Sequence, residues 1–124
     1  MTGLEALQEA IAQLRGHEQI DAGLLEALAP LTTYDTEHDA DLAHTLAVYI
    51  RLGGSITATA EALFLHRNSV VYRLQRVEEV SGLPVRDIEL QRLLLTAFSL
   101  ADPELLQKLD PTGERSGDEG KRKE

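Results

Sequence analysis

Three observations predict an all-α fold, a compact helical domain containing two helices joined by a tight turn. Leu and Ala supply 36 of the 124 residues (22 and 14), whereas Val and Ile together supply 11. Side chains that are not branched at Cβ lose little freedom in a helix. Apolar residues recur at steps of three and four along most of the chain, and no stretch alternates as a half-buried strand would. The length and the 43% of hydrophobic residues suit a single core.

Leu4, Leu7, Ile11 and Leu14 predict an amphipathic helix ending near Gly16. Two heptads are too few to identify a coiled coil. A second helix is predicted with Asp21 as N-cap, burying Leu24, Leu25 and Leu28 until Pro30 stops it. Thr36 and Asp39 resemble a capping box with Asp in place of Glu or Gln. This box would open a helix with the apolar face Leu42, Leu46, Tyr49 and Ile50, closed by Gly53 and Gly54. Ser55 can cap a short helix through about Leu63, and His66 can cap a helix over residues 67–80 that buries Val70, Leu74 and Val77. Gly82 and Pro84 end that helix. Asp87 opens another, carrying Ile88, Leu94, Leu95 and Phe98, which stops at Asp102 and Pro103. The same pair can cap a last helix with Leu105, Leu106 and Leu109. Residues 110–124 lack apolar side chains and read as a disordered polar tail.

No run reaches the roughly 18 apolar residues of a membrane span, and no basic region precedes an apolar one at the N-terminus. No membrane partner is expected. The absence of Cys removes disulfides, thiolate metal sites and thiol nucleophiles, and fits a cytoplasmic location. The net charge of −9 argues against nucleic acid only until its distribution is examined. Residues 1–65 hold two basic and ten acidic residues, a net of −8, and residues 66–124 hold ten basic and eleven acidic, a net of −1. Between residues 66 and 77 stand Arg67, Arg73 and Arg76 with no acid. A polyanion responds to this local field rather than to the total.

The informative stretch is SITATAEALFLHRNSVVYRLQRV, residues 55–77. Ala60 is small where a second helix must approach, and Val70 and Leu74 lock that helix onto the first. Phe64 takes the turn position where Gly is common. This spacing fits a helix-turn-helix. The face left over carries Arg67, Asn68, Val71, Tyr72 and Gln75, side chains suited to base edges in a major groove. Arg donates twice to guanine, Asn or Gln pairs with adenine, and Val meets a thymine methyl. Ser55, Thr57, Ser69, Arg73 and Arg76 are the candidate phosphate contacts. Glu78 and Glu79 come at the far end of the helix, where they need not meet DNA.

The words ATAEALFLHRN and YRLQRVEEVSGL, within a stretch of about residues 24–101, resemble the C-terminal DNA-binding domain of PucR/CdaR-type bacterial transcriptional regulators. The helix-turn-helix itself is more weakly similar to Fis-type domains. The resemblance implies a Fis-like helix-turn-helix with flanking helices that binds double-stranded DNA, with its recognition helix at Arg67–Val77. Ser69 stands where Thr is more usual, which keeps the hydroxyl. The organisation expected is an N-terminal helix and linker over residues 1–20, the DNA-binding domain over 21–109 and the tail over 110–124. The family also implies sensory modules ahead of the domain. Residues 1–23 are too few for one, so the chain is an excised fragment or a short regulator, with any sensory domain or effector outside it. One recognition helix reads too few base pairs for a genomic address, so a homodimer is expected, through the first helix or the apolar helix after Asp87.

Two other readings of the sequence compete with this one. His38, Asp39, Asp41 and His44 in EHDADLAH could present metal ligands from one helix. Carboxylates in a first helical turn, where they favour the helix dipole, explain the acids more simply, and no metal or other cofactor is expected. Gly53 and Gly54 lack the Gly-Lys-Ser/Thr of a phosphate loop, and no Ser stands in a nucleophile pattern, so no catalytic residue and no enzyme are expected. The alternative function is an acidic helical module that docks a protein through Leu90, Leu93, Leu94 and Leu95 without binding DNA.

Overall fold

Seven helices follow one another in the computed structural model, which describes residues 2–109, and no strand occurs among them. They are α1 (Gly3–Leu14), α2 (Glu18–His38), α3 (Leu42–Arg51), α4 (Ile56–Leu63), α5 (Arg67–Ser81), α6 (Ile88–Leu100) and α7 (Pro103–Leu109). The polar tail expected over 110–124 lies outside the described residues.

Most boundaries come from the caps that the side chains suggest. Ser55 Oγ accepts the Ala58 N–H at 3.0 Å, His66 Nδ1 that of Asn68 at 3.1 Å, and Asp87 that of Leu90 at 3.3 Å. Asp102 accepts the Glu104 N–H at 2.9 Å, with Pro103 in the first turn of α7. Each satisfies a donor that the first turn of a helix leaves without a partner.

The second helix departs from expectation at both ends. His17 is its N-cap, accepting the Gln19 N–H at 3.1 Å. Asp21 lies inside α2 and instead accepts the Asp102 N–H at 3.2 Å, fastening α2 to the start of α7. Pro30 does not stop the helix but lies within it. A proline there gives up one backbone bond and crowds the carbonyl four residues back, a cost of about 3 kcal/mol relative to Ala. The helix persists because the turns beyond it carry Leu31, fully buried, and Tyr34, which packs on the core. Leu25 is not buried: it is 45% exposed, because Leu24, Leu28 and Leu31 form the inward stripe.

Thr36 does not open the third helix. It sits within α2, its hydroxyl donating to Thr32 O, and Asp39 ends α2 in the left-handed region at φ +50°. The carboxylate of Asp35 caps α3 instead, accepting the N–H groups of Leu42 and Ala43 at 2.8 and 2.9 Å. One α2 side chain thus fixes the next helix seven residues on.

The core unites Leu24, Leu28, Leu31, Leu46, Ile50, Val70, Leu74, Val77, Val85 and Phe98. Thr45 and Thr59 are buried with their hydroxyls donating to Asp41 O and Ser55 O. In α6 only Leu94 and Phe98 are buried, while Ile88, Leu93 and Leu95 are exposed. Gln91 of α6 donates to Tyr49 Oη and to Val85 O. Gly54, at φ +76°, lies against that carboxamide, and a Cβ there would overlap it. No α1 residue is buried, and Leu4, Leu7, Ile11 and Leu14 all face solvent. The Gly16 N–H bonds Leu100 O at 2.7 Å and holds the exit of α1 beside the end of α6. Among the described residues no helix is long and apolar enough to cross a membrane.

Candidate nucleic-acid interface

α4 and α5 form the helix-turn-helix, and α5 packs on α2, α3 and α4 together. Ala60 is buried at the approach of the two helices, and Val70, Leu74 and Val77 are wholly buried beneath α5. The turn closes through Phe64 at φ +56°, the Leu65 N–H bonding Ala60 O at 2.9 Å. Three neighbours grip the inner face of α5, so its outer face is presented on a rigid support.

At 100° per residue, Asn68, Tyr72, Gln75 and Glu79 project within about 60° of one another, opposite the buried stripe. All four are exposed. Arg67 is exposed on one flank beside the half-buried Val71, and Ser69 is exposed on the other. The side chains of Arg67, Asn68 and Gln75 make no hydrogen bond or ion pair among the described residues. The five base-reading candidates, Arg67, Asn68, Val71, Tyr72 and Gln75, are therefore brought onto one continuous surface.

The phosphate candidates divide. Arg73 Nη1 lies 2.6 Å from Asp41 Oδ1 and 3.3 Å from Thr45 Oγ1, so this guanidinium binds α5 to the start of α3. Arg76 donates to Tyr72 Oη at 2.9 Å and lies 5.7 Å from the centre of its ring, with Glu79 at 3.4 Å. The Tyr72 hydrogen bond, reinforced by Tyr34, Tyr72 and Glu79, raises the Arg76 pKa above its usual value, and the group keeps its charge. Ser55 Oγ is engaged as the cap of α4, whereas Thr57 is exposed on the first turn of that helix. Glu78 is paired with Arg86 at 2.7 Å, and Glu79 stands about 16 Å along the axis from Asn68.

A cleft of about 520 Å³ runs between the junction of α2 with α3 and the recognition helix. Tyr34, Asp39 and Asp41 line one side, and Ser69, Tyr72 and Arg76 the other. Sequence reasoning missed the wall at the junction of α2 with α3, because Tyr34 and Asp41 precede the helix-turn-helix and carry no local signal of facing it. It also missed the partner of Arg73, 32 residues away. The EHDADLAH residues do not share a helix: His38 lies on α2, stacked on Tyr34 at 4.1 Å, while His44 lies on α3. Among the described residues no three His, Asp or Glu side chains are grouped to hold a metal ion.

Comparison with known proteins converges on the same segment. Residues 42–101, from α3 through the residue after α6, match the PucR C-terminal helix-turn-helix domain. The chain is 39% identical over 64 residues to the purine catabolism regulatory protein of Bacillus subtilis (strain 168), covering 52% of this chain and 12% of that protein. It is 39% identical over 87 residues to the carbohydrate diacid regulator of Escherichia coli (strain K12), covering 70% of this chain and 22% of the regulator. The DNA-binding transcriptional activator AdeR of Bacillus subtilis (strain 168) is 24% identical over 62 residues, 50% of this chain and 15% of AdeR. The chain therefore spans less than a quarter of the length of each of these regulators. No solved structure gives a significant match. Residues 42–101 thus match a PucR-type C-terminal helix-turn-helix domain, and that match supports a DNA-binding regulatory role.

Proposed function

We propose that this chain binds double-stranded DNA as a homodimer, each copy laying α5 in the major groove, as the DNA-binding part of a cytoplasmic bacterial transcriptional regulator. The observation that carries the reading is the outer face of α5. Arg67, Asn68 and Gln75 stand exposed and uncommitted on a helix whose inner face is fully buried. Arg67, Asn68, Val71, Tyr72 and Gln75 read bases, while Thr57, Ser69, Arg76 and the helix-capping Ser55 meet phosphates. Arg73 joins the phosphate contacts when DNA draws it from Asp41. Residues 21–109 act as the DNA-binding unit and residues 1–20 as an arm and linker. A sensory domain or effector acts from outside this chain, and no metal or catalytic step is involved.

The dimer reading rests on α1. Leu4 and Ile11 occupy one set of seam positions and Leu7 and Leu14 the other, at exposures of 65, 39, 57 and 47%. In that register Glu5 and Glu9 point away from the seam, and Gln8 and Ala10 flank it without charge. Two copies can then pair without like-charge repulsion. Two heptads hold weakly alone, and adjacent half-sites supply the effective concentration that brings the arms together. Half-sites should lie about one turn apart, roughly 34 Å.

Fluorescence anisotropy tests the proposal, using labelled duplexes from the region upstream of the gene and a scrambled control. With about six to eight phosphate contacts per dimer, log K should fall against log salt with a slope of about −5 to −7. Sedimentation of the same mixtures should show two chains per duplex. A chain that stays monomeric at micromolar concentration with and without DNA overturns the dimer. Absence of binding even at low salt overturns the DNA reading and leaves an acidic protein-docking module.

A further inference from the structure

Phe64 combines two unfavourable features. It closes α4 in the left-handed region, at φ +56° and ψ +43°, and its side chain is 95% exposed. A bulky residue is an outlier in that conformation because its Cβ presses on the following carbonyl. Gly or Asn would make the same turn with less strain. The exposed ring also leaves apolar surface in water, and it packs on nothing that would offset the backbone cost. The turn needs the backbone conformation but not the ring.

Its position supplies a use. Phe64 is two residues before the N-cap His66 and three before Arg67, so its Cα lies within about 11 Å of the Arg67 Cα. In helix-turn-helix docking the first residues of the second helix enter the groove. The residue leading into that helix then stands at the groove edge, where DNA presents thymine C5-methyl groups and deoxyribose carbons. We infer that Phe64 is a DNA-contacting residue whose ring packs on these apolar groups beside the point where Arg67 and Asn68 enter. This inference rests on the DNA-binding reading above. It extends the contact surface from α5 into the turn and adds an apolar contact to a set of polar ones.

The test compares the full chain with Phe64→Gly and Phe64→Asn on a duplex that the unaltered chain binds. Both variants should keep the thermal midpoint or raise it by about 4 °C, as strain is relieved. Both should bind the duplex about five- to tenfold more weakly. Stability and affinity moving in opposite directions is a signature that a merely structural residue does not give. Duplexes with deoxyuridine in place of thymine identify the apolar partner. If it is a methyl group, the unaltered chain weakens on them by more than the variants do; if it is a sugar, the unaltered chain and the variants weaken alike, through Val71 alone. Variants that bind as tightly as the unaltered chain overturn the inference and leave the ring to a protein partner. A parallel fall in stability and affinity overturns it in favour of a folding role. If the unaltered chain binds no duplex, the DNA reading itself fails.

Discussion

α1 and α5 carry the same kind of apolar stripe and do opposite things with it. In α5, Val70, Leu74 and Val77 are wholly buried, whereas in α1 every stripe residue is at least 39% exposed. The difference lies in their neighbours rather than in their own residues. α5 is enclosed by α2, α3 and α4, and burying its apolar face fixes its polar face outward. α1 precedes that enclosure, so its apolar face is the one left outward. Hydrophobic periodicity marks a face that prefers to be covered, and topology decides whether the same chain or another molecule covers it.

The sharpest way to break this contrast is truncation of one leucine in each helix. Leu74→Ala should cost about 2–5 kcal/mol, since the cavity lies in a packed core and cannot fill with water. Leu7→Ala should leave the unfolding free energy of the monomer, read from urea curves, within about 0.5 kcal/mol while reducing the fraction of dimer on DNA. Equal losses in the two unfolding curves would show that α1 belongs to the core after all.

On the outer face of α5, Arg67→Ala should lose about 1–3 kcal/mol of binding to the preferred duplex and relax base preference at one position. The urea midpoint should not move, because Arg67 has no side-chain partner among the described residues. Arg76→Ala should weaken all duplexes alike and flatten the salt slope by about one. If Arg67→Ala gives the uniform loss and Arg76→Ala the selective one, the two roles are reversed.

The helices from α4 onward were legible because their signals are local: a cap, a 3.6-residue period, a terminating Gly or Pro. Residues such as Ser55, His66, Ala60 and Asp87 have the places their immediate neighbours imply. The failures occurred where a distant contact outweighed a local rule. Pro30 should end a helix, but the packing of Leu31 and Tyr34 beyond it keeps the helix intact. Thr36 should begin one, but Asp35 caps α3 from the preceding helix. The recognition face could be read from α5 alone. The pairing of Arg73 with Asp41 could not, because nothing in either segment announces the other.

That pair provides the smallest and most selective test of how the two helical surfaces divide their tasks. Arg73 and Asp41 are 30% and 38% exposed, so solvent screens them, and their ion pair should contribute about 1 kcal/mol or less. Asp41→Asn keeps the side-chain shape and an oxygen that can still accept from Arg73, so the stability loss should be at the lower end of that range. The same change removes one negative charge from the cleft beside α5 and loosens the hold on the guanidinium. If Arg73 then reaches a phosphate, DNA affinity should rise about threefold at low salt and the salt slope should steepen by about 0.9. Arg73→Ala supplies the opposite arm, losing stability to a similar extent and flattening the slope. A slope unchanged in both variants would assign Arg73 wholly to the buried side of the contrast, as a clamp between α5 and α3. The phosphate contacts of the helix would then rest on Arg76 and the hydroxyls at its N-terminal end.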